Sequence, residues 1–173
     1  KSVKDLRYAI LLHKNDRSVK IQIKLQRLEK GQPKLYYPKH YTESTLYVVE
    51  VQKTRTGETT AMKKLQGSET KLEASKAVTI QTRPYHYGDF DILAVNMHPS
   101  SKNWRDFRYT LSSWLLPKRK ETSPGEIEVF QPVAAIPNEV WTDDLATWVA
   151  WLEDKVAKRV IGELLHLPKP SSR

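Results

Sequence analysis

At 173 residues the chain is long enough for one ordinary domain, and its 39% hydrophobic content, with five Trp and eight Tyr, supports a packed core rather than disorder. It carries 29 Lys and Arg against 20 Asp and Glu, for a net charge of +9 and a pI near 9.6, and it has no Cys, which excludes a disulfide framework, a thiolate zinc finger and a cysteine nucleophile. No apolar run approaches the roughly 18 residues of a membrane span, and no signal-peptide core follows Lys1–Arg7, so a soluble, cytoplasmic and nucleoid-associated protein with no membrane partner is expected. The first residue is Lys rather than Met, which reads as a fragment or processed form with an N-terminal element missing.

The charge is local. Residues 1–40 hold eleven cations against three carboxylates, a balance of +8, whereas 41–91 balance at zero, 92–130 at +2 and 131–173 at −1. Lys and Arg clustered in this way suit a polyanion, whose condensed counterions they displace; a merely solvated face is the simpler alternative.

In chain order, Tyr8 to His13 is a short apolar β-type run, Asn15 to Ser18 a turn, and Val19 to Arg27 an alternating strand, together a β-hairpin. Alternation puts Val19, Ile21, Ile23 and Leu25 on one face, read as core, and Lys20, Gln22, Lys24 and Gln26 on the other, read as a polar working face. Gly31-Gln32-Pro33 ends the strand, and Leu46 to Lys53 is a third candidate strand, in which Glu50 and Gln52 share a face. Thr54 to about Ala77 has no sustained apolar period and reads as a loop. Phe90 to Val95 is a buried strand, Trp104 to Leu116 fits either a strand or a short helix, and Ile127 to Val133 is a short strand. Asp143 to Leu165 has the composition of an amphipathic helix, acidic in its first turn and basic later at Lys155, Lys158 and Arg159.

There is no phosphate-binding loop, dinucleotide fingerprint, His-Glu-x-x-His or nucleophile elbow, and the five His have no ligand spacing. The hairpin remains. If it closes around Asp16 and Arg17, Lys24 stands opposite position 9, and a carboxylate there would lie within about 8 Å of Gln22 as well. Such a cluster could hold a divalent ion and orient a water at a phosphodiester, with the Lys offsetting developing negative charge.

On these residues the chain resembles the PD-(D/E)XK nuclease superfamily. Ile21-Gln22-Ile23-Lys24 matches the family's (D/E/Q)-x-K strand, and Thr82-Arg83-Pro84-Tyr85-His86-Tyr87-Gly88-Asp89-Phe90-Asp91-Ile92-Leu93-Ala94-Val95 is similar to a block in the intron-encoded homing endonucleases of that superfamily. The similarity spans roughly residues 8–95. It implies an α/β fold with a restriction-endonuclease-like mixed central sheet and flanking helices, one domain over 1–165 lacking an N-terminal helix, and a tail over 166–173. It further implies Mg²⁺-dependent (or Mn²⁺-dependent) hydrolysis of double-stranded DNA by a homo-oligomer.

The pattern departs at Ala9, where the family has a metal-binding Asp. Two readings follow, an introduced Asp-to-Ala change or a naturally inactive relative; Asp5 and Asp16 are poorly placed to substitute. The catalytic set is therefore position 9, Gln22 and Lys24, with Gln22 and Glu50 as metal ligands, Glu50 being alternatively a neighbour of a cation. Asp91 is either a further acid or a buried structural partner, and Lys20, Arg27, Lys53, Arg55, Arg83 and Tyr85 are candidate DNA contacts. The runner-up function is a non-catalytic nucleic-acid-binding module using the basic hairpin.

Overall fold

The first hairpin forms where the alternation predicts it. In the computed structural model, which describes residues 9–14, 17–36, 45–60, 76–118, 124–153 and 161 (the backbone alone at 14, 17, 53–60, 76–83 and 145), β1 (Ile10–Lys14) runs antiparallel to β2 (Arg17–Leu25). The register corrects the expected one. Lys14 pairs with Arg17 and Ile10 with Ile21, so each partner on β2 lies two residues nearer the turn than a closure around Asp16 and Arg17 requires. Residues 15 and 16, which join the two strands, lie outside the described residues. A shift of two preserves which residues share a face, because the strand period is two.

β3 (Leu28–Glu29) and β4 (Gln32–Pro33) form a miniature hairpin rather than a simple strand end. Its linking residues, Lys30 at φ 51 and Gly31 at φ 77, both occupy the left-handed region, which fits a type I′ turn. No atom lies within 4 Å of a Cβ added at Gly31, so the cost of substitution there is conformational. Gly31→Ala is expected to lower stability by about 1–2 kcal/mol, read as a shift in the urea midpoint without a change in m-value.

β5 (Leu46–Glu50) is followed after Val51 by β6 (Gln52–Thr60), which pairs antiparallel with β7 (Lys76–Pro84) from Gln52↔Pro84 to Thr60↔Lys76. Residues 54–60 and 76–77 of the span expected as a loop are therefore paired strand. Thr54, Thr56, Thr59, Thr60, Val78, Thr79, Ile80 and Thr82 supply β-branched side chains that favour extended backbone without an apolar period. Residues 61–75 lie outside the described residues.

β8 (Ile92–Asn96) lies beside β2 and parallel to it, and β9 (Phe107–Leu111) closes the other side antiparallel, giving a four-stranded mixed sheet in the order β1-β2-β8-β9. All five residues of β8 are buried, as expected for a strand with neighbours on both sides and material over both faces. Between β8 and β9 stands the single turn α1 (His98–Ser101). The ambiguous Trp104 to Leu116 stretch resolves into β9 followed by a 3₁₀ turn at Ser112–Trp114. β10 (Phe130–Ala134) pairs antiparallel with β5, from Glu50↔Phe130 to Leu46↔Ala134. α2 (Leu145–Glu153) packs against β9 and is capped by Asp144, whose Oδ2 accepts from the Thr147 backbone N–H at 2.8 Å and its hydroxyl at 2.7 Å. The rest of the helix expected to Leu165, and the expected tail, lie outside the described residues apart from the buried Ile161.

The architecture is mixed α/β, mostly strand with few helices, and its strands fall into several sheets rather than one. The core gathers Phe90, Leu93, Trp114, Ile127, Val133 and Trp141 among others, all fully buried. No helix among the described residues is long and apolar enough to cross a membrane.

One sequence expectation about β2 is reversed in part. Ile21 is buried as expected, but Ile23 and Leu25 are 38% and 46% exposed, while the supposedly outward Gln22 and Gln26 are 8% and 1% exposed. Beyond the end of β2 the chain meets β5 edge to edge, with Gln26 bridged to Val49 and the Arg27 N–H donating to Val48 O at 2.8 Å. Gln26 is held there by its Oε1, which accepts from Ser100 N at 3.0 Å, and by its backbone N–H, which donates to Asn96 O at 3.0 Å, while its side-chain Nε2 is buried without a hydrogen-bond partner.

Candidate active site

The side chains of the even face of β2 meet the start of β6 and the segment leading into β8. At the near end, Asp91 ties β2 to β8. Its Oδ2 accepts from the Lys20 backbone N–H at 2.8 Å, its own N–H donates to Lys20 O at 2.8 Å, and its carbonyl accepts from Ser112 N at 2.8 Å. These contacts correspond to the structural alternative weighed for Asp91, a carboxylate held by backbone N–H groups. Lys20 extends toward Gly88 O, at 3.3 Å from Nζ.

Gln22 is buried beside Leu93, and its amide donates to Ile23 O at 3.1 Å. The regular ladder ends at Ile10↔Ile21, and Ala9 also donates its N–H to Ile21 O at 2.8 Å, so position 9 lies beside Ile21 at a local bulge rather than opposite Lys24. Ala9 itself is exposed.

Lys24 is the most constrained cation of the group. Its Nζ donates to Gln52 O at 2.7 Å and lies 5.6 Å from the centroid of the Tyr85 ring. Burial lowers its pKa from the ordinary lysine value. Tyr85, read as a candidate DNA contact that could reach a phosphate or fix the loop, is 4% exposed and edge-on to Phe90 at 5.3 Å, and its ring lies beside the Lys24 ammonium. Its phenol pKa is raised, by burial first and by the Asp89 charge second. The physical reason is area: a Tyr ring at the rim of a core gains more from burial than from an exposed hydroxyl contact.

Gln52 links this corner to a second ion pair. Its amide donates to the Glu50 carboxylate, whose other oxygen accepts from Arg27, and the Arg27 guanidinium stacks 4.7 Å over the Phe130 ring. Glu50 thus has the cationic neighbour that was the alternative to metal ligation. Arg27, a candidate DNA contact, is half-buried in the same pair. The backbone register sets Lys53 opposite Arg83 and Arg55 opposite Gln81, and the side chains of these three candidate contacts lie outside the described residues.

The residues present do not fit a bound Mg²⁺. Such an ion needs several hard oxygen donors in octahedral array, but Ala9 offers none and both oxygens of Glu50 are engaged. Among the described residues, no group of three or more His, Asp and Glu could hold a metal. The arrangement can nonetheless present a desolvated, positively charged lysine to an anion. Sequence reasoning found Gln22, Lys24 and Glu50 but missed Gln52 as the link between them, because a backbone carbonyl acceptor leaves no residue-type signal. Comparison of the chain with family models, with curated proteins and with solved structures finds no match.

Proposed function

We propose that this chain is a binding domain for double-stranded DNA built on the restriction-endonuclease-like plan, in which hydrolysis of the phosphodiester needs an acid that Ala9 does not supply. The observation that carries the reading is Lys24: an ammonium desolvated against Tyr85 and Gln52, two residues from Gln22 on one strand face. Burying that charge costs free energy unless it meets an anion, and a scissile phosphate is the anion that the Gln-x-Lys resemblance implies. The concentration of positive charge in residues 1–40 supports a polyanionic partner.

The test is a plasmid-cleavage assay on Ala9→Asp with Mg²⁺, and then with Mn²⁺. Discrete fragments from Ala9→Asp and none from the parent are expected, since the substitution supplies, at the end of the strand facing β2, the acid that the resemblance implies. A second reading, a nucleic-acid-binding module without catalysis, is favoured by the engagement of Glu50 with Arg27 and Gln52. It prevails if Ala9→Asp binds DNA with steep salt dependence yet shows neither metal binding nor cleavage.

A further inference from the structure

The loop from Met97 to Asp106 is heavily braced, and what it presents to solvent is an aromatic ring. Met97 N donates to Asp106 O at 2.8 Å, closing the loop, and the Asn96 side chain binds it twice: Nδ2 donates to Trp104 O at 2.8 Å and Oδ1 accepts from His98 N at 3.0 Å. Ser101 Oγ donates to Met97 O at 3.1 Å, and Arg105 N donates to Asn103 Oδ1 at 3.0 Å. Within this frame the Trp104 indole lies parallel to the His98 imidazole, with centroids 3.8 Å apart and planes 13° off, and the residue is 65% exposed.

An indole held open in this way forgoes burial that Trp114 and Trp141 obtain in full. Its neighbours are cationic. Lys102 and Arg105 are both exposed, and Lys102 occupies the left-handed region at φ 59, a position where glycine would be less strained. The Lys102 ammonium reaches back to Pro99 O at 3.0 Å, which keeps it on the loop that carries Trp104. Asp106, the acid of this loop, is paired with Arg108. The loop is also fastened to the candidate site, because Ser100 N donates at 3.0 Å to Gln26, two residues beyond Lys24 on β2.

We propose that Trp104, flanked by Lys102 and Arg105, is a stacking platform for an unstacked base of the bound nucleic acid, with the two cations on the adjoining phosphates. A flat ring braced from behind and flanked by positive charge is the arrangement that takes a base by its π-face, whatever its sequence. The inference rests on the DNA-binding reading but not on hydrolysis.

The experiment uses the full chain and two probes, a paired duplex and the same duplex carrying a short single-stranded gap, followed by anisotropy and by Trp emission. Trp104 is the most exposed of the Trp residues described, so iodide quenching isolates its signal. The gapped probe should bind more tightly and protect Trp104 from iodide. Trp104→Ala should weaken gapped-probe binding about 10-fold or more, with Trp104→Phe retaining most of it. Lys102→Ala with Arg105→Ala should flatten the salt dependence.

Tight, salt-dependent binding that Trp104→Ala leaves unchanged overturns this inference while the proposed function stands. If neither probe binds at low salt, both fall. If Trp104 is protected from iodide only as protein concentration rises, the surface is a self-association contact and the inference is overturned. If Trp104 acts as expected but Ala9→Asp does not cleave, stacking stands and hydrolysis fails.

Discussion

Lys24→Met in an Ala9→Asp background is expected to reduce the rate of DNA cleavage by about 100-fold or more while changing stability by no more than about 1 kcal/mol. The methionine keeps most of the aliphatic stem against Tyr85 and removes the charge. What is lost is the hydrogen bond to Gln52 O and the ring contact; what is relieved is the cost of holding an ammonium away from water. Those effects on folding oppose one another, whereas the role proposed for Lys24 at a phosphate depends on the charge that the variant removes.

The pH dependence separates the roles. Burial places the folded-state pKa of Lys24 below its unfolded value, so between the two the unfolded chain binds the extra proton and stability rises with pH. The destabilising effect of the charge is present in full below the folded pKa and fades as pH rises through it. The parent should therefore gain stability relative to Lys24→Met in alkaline buffer, read from paired urea titrations across pH. If Lys24→Met cleaves as fast as its Lys24 counterpart, the lysine has no part in the chemistry.

Trp114→Ala is expected to cost about 3–5 kcal/mol, a large share of the roughly 5–15 kcal/mol that holds a domain together. Trp114 is fully buried at the end of the 3₁₀ turn after β9, with its ring 4.8 Å from that of Trp151, so it joins α2 to the sheet. The same turn holds the head of β8, since Ser112 Oγ donates to Phe90 O at 2.6 Å and Ser112 N to Asp91 O at 2.8 Å. Because Asp91 in turn pairs with Lys20, a cavity at Trp114 loosens β2 at the start of the candidate site. A large fall in the urea midpoint with loss of near-ultraviolet dichroism is the expected readout, and Trp114→Phe should lose less. A midpoint unchanged in Trp114→Ala would mean that α2 is held to the sheet by other contacts.

Several features were legible without coordinates, each for a local reason. The alternation of Val19 to Leu25 marks a strand, because successive side chains point to opposite faces, and the uninterrupted apolar run at Ile92 to Val95 marks a strand buried on both sides. The two acids at 143 and 144 marked a helix start, and Asp144 is its cap. Gln22 and Lys24 were singled out by residue type and spacing alone.

What remained was decided by contacts between segments distant in sequence. Alternation says that β2 has two faces but not which one another layer covers. In the folded chain Gln22 and Gln26 are buried and Ile23 and Leu25 stand open, with the Gln22 amide donating to Ile23 O and the Gln26 Oε1 accepting from Ser100 N. Likewise the β1–β2 register is set by pairing from Lys14↔Arg17 to Ile10↔Ile21, and pairing with β7 turned an apparently featureless Thr-rich stretch into strand β6.

By itself the sequence determined that the chain is basic, that the excess lies in its first forty residues, and that a Gln-x-Lys strand runs through that region, since charge and strand periodicity are properties of the chain alone. Only the tertiary structure decided that Lys24 is walled by Tyr85 and bound by Gln52, that Glu50 pairs with Arg27, and that Trp104 stands exposed on a braced loop. Desolvation, ion pairing and exposure depend on which surfaces meet, and those surfaces come from strands widely separated along the chain.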